Sequence, residues 1–270
     1  GAWRDVHQDE AAVFVGECPS SVRQLNQCIG NGGTRLTVED RPDDDTQGRF
    51  PAVGLPGCNP YLVSEIGKGF IQGIMGDDPR YLKAVPCGKH YIANNTEYNR
   101  HTGSADMDDR DMREYYLLPY RTLIRDYRLP AIMTAYSAVN GKPVSASKFL
   151  VDTIARKTYG LDGYVTGDCG AINDMIRGHH YAGSNEEAVA LGLKAGVDTD
   201  CGGVYQNNTL GALEKGLITQ GDIDKALLNI FTIRMRLGEF DPPEIVPYAG
   251  IQPRVINDPS HNDLALEVAT

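Results

Sequence analysis

Apolar side chains recur at helical spacing from about residue 61 onward. Leu62, Ile66, Phe70, Ile71 and Ile74 fall on one face of a 3.6-residue period. The stretch from Asn59 to Gly76 therefore reads as one amphipathic helix that stops at glycine. After it, short apolar runs alternate with longer helical ones. Lys83–Gly88, Ala131–Tyr136, Gly163–Asp168 and Val197–Asp200 are the strand candidates. Between them lie a polar loop, Lys89 to Met107, and a helix, Asp108 to Arg128, with Pro119 marking a kink or break. A third helix runs to about Tyr159, with Ser145 or Ser147 as its cap, and stops at Gly160. Ser184-Asn185-Glu186-Glu187 is a capping-box signature for a helix ending at Gly196. Helices over Tyr205–Gly216 and Asp222–Leu237 follow, then a proline-rich tail with a new helix starting near Ser260. Residues 1–60 diverge from this pattern: Gly30, Gly32, Gly33, an acidic stretch at Asp43-Asp44-Asp45 and Pro51, Pro56 and Pro60 read as loop and turn.

Strand, helix, strand, helix at this spacing implies an α/β domain with a parallel sheet and right-handed crossovers. Both a (β/α)8 barrel and a doubly wound open sheet satisfy that order. The chain's 270 residues suffice for one barrel, and no G-x-G-x-x-G follows a strand, which disfavours dinucleotide binding. The strand ends favour the barrel. Lys89 and His90 follow the first strand, Tyr136 ends the second, Asp168 ends the third, and Asp198 and Asp200 flank the end of the fourth. In a barrel these ends converge on one pocket; in an open sheet they line a crevice.

Charge and composition then narrow the partners. A net charge of −10 argues against nucleic acid or an anionic membrane surface. No apolar run is long enough to span a bilayer. Gly1-Ala2-Trp3-Arg4-Asp5 lacks an apolar h-region and a starting Met, so the chain reads as processed or trimmed, without a signal peptide. The cysteines Cys18, Cys28, Cys58, Cys87, Cys169 and Cys201 form no CxxC, which disfavours zinc and redox motifs and leaves buried free thiols as the expectation. Asn94-Asn95-Thr96 and Asn207-Asn208-Thr209 match the glycosylation acceptor pattern. No metal or cofactor is expected.

Residue type suggests roles. An ionised Asp168 at the end of a buried strand is a competent nucleophile toward an anomeric carbon. Lys89 and Arg100 are the cations that could keep it charged. Lys, Arg, His and Asp together suit sugar hydroxyls, which both donate and accept hydrogen bonds. The ordinary alternative for a strand-end Asp is a helix N-cap, and for Lys-His a solvated loop. His179-His180 reads as solvated loop and is left out of the site.

Several segments carry a family resemblance. Gly88-Lys89-His90-Tyr91-Ile92-Ala93-Asn94-Asn95 resembles the Lys-His motif of family 3 glycoside hydrolases. Arg100 sits where that family has a sugar-binding arginine, and Asp111-Met112-Arg113-Glu114-Tyr115-Tyr116-Leu117-Leu118-Pro119 resembles its next helix. Ala135-Tyr136-Ser137-Ala138-Val139-Asn140-Gly141 resembles its tyrosine-bearing strand end, and the segment Tyr159 to Asp168 resembles the one ending in its nucleophile. The resemblance runs from about Asn59 to Pro247. It implies a TIM-barrel-like domain, incomplete at its N-terminus, over residues 1–250. Residues 251–270 would then lead toward a second domain.

It also implies that Asp168 is the catalytic nucleophile and that Lys89, His90, Arg100 and Tyr136 hold the sugar, with Arg49 as a further pocket residue. Many β-glucosidases of the family place Trp after the nucleophile; Cys169 stands here, and Ala195 to Gly202 resembles the xylosidase branch. The activity implied is a retaining exo-β-glycosidase on small oligosaccharides or aryl glycosides, β-xylosidase ahead of β-glucosidase. Such a mechanism needs a second carboxyl about 5–5.5 Å from the nucleophile. The family takes it from a second domain, so a further domain or chain is the expected source. Within this chain Glu97 and Asp106 are the nearest candidates. A carbohydrate-binding or subunit-interaction module without turnover is the alternative. The residues leave the compartment open; the resemblance favours a secreted or periplasmic location.

Overall fold

The computed structural model describes residues 12–14, 59–96, 98–256 and 258–269. Arg49, Glu97 and the acidic stretch at 43–45 lie outside the described residues. Strand β1 spans Ala12–Phe14. Helix α1, Pro60–Met75, begins as expected: the Asn59 side chain accepts from the amides of Tyr61 and Leu62, and Gly76 closes it at φ 75°. A residue with a Cβ would strain there. Strand β2 is Cys87–Tyr91, later than the apolar run suggested. Lys89 and His90 thus lie within it, because polar side chains at the end of a parallel strand face a site rather than the core. Cis peptide bonds occur at Lys89–His90 and Tyr91–Ile92.

A short pair, β3 (Ser104–Ala105) with β5 (Ala138–Val139), is extended by β6 (Lys142–Pro143) into a small sheet over the loops. The expected helix after residue 108 is divided. Asp108 caps a first turn, Met112–Tyr116 winds with a wider turn, and α2, Leu118–Tyr127, restarts with Pro119 in its first turn. Proline is tolerated there because the first helical amides need no intrahelical acceptor. Strand β4, Ala131–Thr134, leads to α3, Phe149–Thr158. Ser147 receives the Leu150 amide, whereas Ser145 bonds the Thr134 hydroxyl. Strand β7 is Tyr164–Gly167. A short helix absent from the sequence reading, α4 (Ala171–Arg177), follows directly. Then come α5 (Asn185–Ala195, capped by Ser184), β8 (Thr199–Asp200), α6 (Val204–Glu214), α7 (Gln220–Arg236) and α8 (Pro259–Ala269). No helix of the described residues is long and apolar enough to cross a membrane.

The main sheet is parallel, with order β1-β2-β4-β7-β8. Strand order follows chain order, with no reversal. A doubly wound sheet reverses direction at a switch point; right-handed crossovers that never reverse put the helices on one face and curl the sheet as a barrel does. The described strands have that parallel, unreversed order. Helices and sheet share a core around Leu117, Leu123, Ile132, Val151, Val165 and Ile172, all at most 1% exposed. A smaller cluster, Leu82, Val85, Ala131 and Tyr164, closes the end where the strands begin.

Candidate active site

Register fixes which residues meet. Tyr91 pairs with Thr134, Thr134 with Gly167 and Gly167 with Asp200, a level row at the C-terminal ends of four strands. His90 lies one residue before that row, and Asp168 one residue beyond it. Lys89 stands on the same strand, half-buried, in register with Phe14. The strand-end residues named from sequence therefore share one end of the sheet. A cleft lined by Leu82, Lys83, Leu237 and Tyr248 lies at the other end and holds none of them.

Asp168 is 8% exposed and well supplied with donors. Its Oδ1 accepts the Cys169 amide at 2.7 Å. Its Oδ2 stands 3.2 Å from His90 Nε2. Asn94 Nδ2 faces the other ring nitrogen of His90 at 3.5 Å. A ring nitrogen that faces a carboxylate donates to it, so the Nε2–H points at Oδ2. His90, read from sequence as a sugar-holding residue, is thus also a direct partner of Asp168. Arg100 places its guanidinium 4.8 Å from the ring centre of Tyr136.

Tyr136 lies two residues past β4, 9% exposed, and donates its hydroxyl to the Cys169 carbonyl at 2.9 Å. Burial first, and then the Asp168 charge, push its phenol up to about 12, against the pull of Arg100. It therefore stays a hydrogen-bond donor at any ordinary pH. His179 was set aside as solvated loop; its Nε2 lies 2.8 Å from the Tyr136 carbonyl, so it joins the site's framework.

Two further expectations are corrected. Cys169 and Cys201 are not free thiols but a disulfide, with Cα atoms 4.2 Å apart. The cause is register: Gly167 and Asp200 are paired neighbours, so the cysteines just beyond β7 and β8 arrive side by side. Cys87 is buried, as expected. Asp198, named beside Asp200, belongs to the framework. It is 7% exposed, pairs with Arg156, and accepts the Val165 amide at 2.7 Å and the Asn229 amide at 2.8 Å. Burial pushes its carboxyl up, with Arg156 opposing. Asp200 receives the Tyr205 amide at 3.0 Å at the start of α6. Asp106 is exposed and accepts from the Ser104 hydroxyl at 2.6 Å. Among the described residues, no group of three or more His, Cys, Asp or Glu side chains could hold a metal ion.

A buried carboxylate with donors on both oxygens, beside a tyrosine and an arginine, suits attack on a polar, hydroxyl-rich substrate. Residues 56–233 match the glycosyl hydrolase family 3 N terminal domain. The chain belongs to that family.

Among relatives of known name, beta-D-xylosidase 1 of Arabidopsis thaliana is 35% identical over 219 residues, covering 79% of this chain and 28% of the relative. A solved family 3 exo-beta-xylosidase, in complex with a xylobiose aziridine probe, superposes with a TM-score of 0.72 at 32% identity, over 78% of this chain and 28% of that one. The beta-glucosidase of Listeria innocua in complex with glucose gives 0.68 at 27% identity, over 77% and 29%. This chain thus spans less than a third of the length of these family 3 proteins.

Proposed function

We propose that this chain carries the nucleophile of a retaining exo-β-glycosidase acting on the non-reducing ends of small oligosaccharides, with β-xylosides preferred to β-glucosides. The observation that carries the reading is Asp168. It is a buried carboxylate at the end of β7, held by His90 and the Cys169 amide. In the proposed reaction the Asp168 carboxylate attacks the anomeric carbon as the bond to the leaving oxygen breaks. A carboxylic acid from a further domain or chain gives that oxygen its proton. Water then attacks the same carbon, giving its proton to the acid's conjugate base, as the ester bond to Asp168 breaks; this frees the sugar and restores the carboxylate. Lys89, His90, Arg100 and Tyr136 hold the sugar in the first subsite, with Arg49 as a further pocket residue.

Closure of the parallel sheet into a full (β/α)8 barrel over residues 1–250, with 251–270 leading toward a second domain, is part of the same proposal. The xyloside preference draws support from the relatives' names and from Cys169 after the nucleophile, where many β-glucosidases of the family have Trp. A disulfide also suits an oxidising, secreted or periplasmic setting.

The test is kcat/KM of the complete gene product on nitrophenyl β-D-xyloside and β-D-glucoside. The xyloside should be the faster substrate. A faster glucoside would reverse the preference. No turnover of either, with xylose still bound, would leave a sugar-binding module in place of an enzyme.

A further inference from the structure

Tyr136 is held from more sides than a single sugar contact requires. The Arg100 guanidinium and the His101 imidazole, consecutive on the loop after β2, both lie on its ring, the imidazole 4.4 Å from the ring centre. His101 is itself fixed: Nδ1 stands 2.7 Å from Asp174 Oδ2, and Asp174 sits on α4, the helix that grows out of the Asp168 turn. The same helix end packs on the loop's backbone. A Cβ on Gly178 would fall 1.9 Å from the His101 carbonyl oxygen. The Asp174 carbonyl in turn accepts the His179 amide at 2.7 Å, and His179 holds the Tyr136 carbonyl. Downstream, the loop is tied to the small sheet through Ser104–Ala105 and β5. The His101–Asp174 bond is thus a polar side-chain link between this loop and the helix that follows the nucleophile.

We propose that His101, oriented by Asp174, is a positioning residue. It fixes Arg100 and Tyr136 over the sugar subsite at Asp168, so that the loop after β2 and the nucleophile turn move as one body. The reading rests on the glycosidase proposal above. An exposed imidazole in a merely structural role would shift stability alone. A positioning role shifts sugar binding and couples to Arg100. Loss of a hydrogen bond to a charged group corresponds to roughly a 10- to 100-fold weakening.

The experiment uses the complete gene product with nitrophenyl β-D-xyloside. His101→Leu keeps bulk but removes the donor, and should raise KM about 10-fold or more while kcat changes less. His101→Asn restores an N–H toward Asp174 and should recover most of that loss. In an Arg100→Ala background, His101→Leu should cost little more, because the group it positions is gone. Should His101→Leu fail to fold, Asp174→Asn, which is isosteric, takes its place and should raise KM severalfold. An unchanged KM in the folded variant, or costs that simply add to those of Arg100→Ala, would overturn the proposal. An inert wild-type protein would refute the glycosidase reading instead. The positioning role would then be read from the dissociation constant for xylose, with the same variants and the same expected order.

Discussion

The Nε2 atom of His90 stands 3.2 Å from Oδ2 of Asp168, joining the end of β2 to the residue beyond β7 across the intervening strand β4. Both side chains are almost completely buried. Removing the imidazole leaves a buried carboxylate short of one hydrogen-bond donor and takes away a side chain proposed to hold the sugar. His90→Ala should therefore lower kcat/KM on aryl glycosides by about 10- to 100-fold. The burst of nitrophenol in a single turnover measures it. A burst of wild-type rate would show that His90 touches neither the charge nor the sugar.

The disulfide should matter for stability and for the site together. It closes a loop across a sequence separation of 32 residues, which corresponds to about 3–4 kcal/mol of stabilisation. It also holds the ends of β7 and β8 beside each other, where the Gly170 amide donates to the Cys201 carbonyl at 2.8 Å. Cys201→Ala should lower the unfolding free energy by an amount of that order, read as a lower denaturant midpoint, and depress activity under native conditions. Equal midpoints with and without the bond would mean the sheet alone sets this geometry.

Acid stability should depend on Asp152. Its side chain on α3 is ringed by Lys148, Lys157 and, from α7, Lys225. Burial taken alone would raise this carboxyl, but the lysines together bring it from 3.8 to about 2. A carboxyl held low stabilises the fold above its unfolded value and loses that contribution as pH falls toward 2. Asp152→Asn should therefore reduce stability near neutrality, by on the order of 1–2 kcal/mol given the exposed lysines. The gap from wild type should close between about pH 4 and pH 2. A gap that is constant with pH would point to packing in place of charge.

The order of elements was legible in the sequence because helical and strand periods differ and because the caps are chemically explicit. Asn59, Ser184 and Gly196 do what their types suggest. The placement of Asp168 was legible too, since it follows a short apolar run. What could not be read was which strands are neighbours. The Cys169–Cys201 bond follows once β7 and β8 are known to pair in register. Likewise Asp198 and Asp168 look alike along the chain; only the fold brings Arg156 and Asn229 onto Asp198. The helix α4 was missed because its seven residues are too few to show a period. With it went Asp174 and the contacts of His101 and His179.

The acid that protonates the leaving oxygen is proposed to come from outside this chain. Activated aryl glycosides need little protonation, whereas xylobiose and cellobiose need it fully, and general acid catalysis contributes roughly 10²–10⁴-fold. These 270 residues alone should show at most weak turnover of nitrophenyl glycosides and essentially none of the disaccharides. Comparable efficiency on both would place the acid within the chain, with Asp106 and Glu97 the first to replace.

The central claim is that Asp168 forms a covalent bond with the sugar. Incubating the complete gene product with a 2-fluoro β-xyloside bearing an activated leaving group should trap that intermediate. Peptide mapping by mass spectrometry should then find the fluorosugar on the peptide containing Asp168, and on no peptide of Asp168→Asn. A label on Asp198 or Asp200, or a label that survives Asp168→Asn, would contradict it.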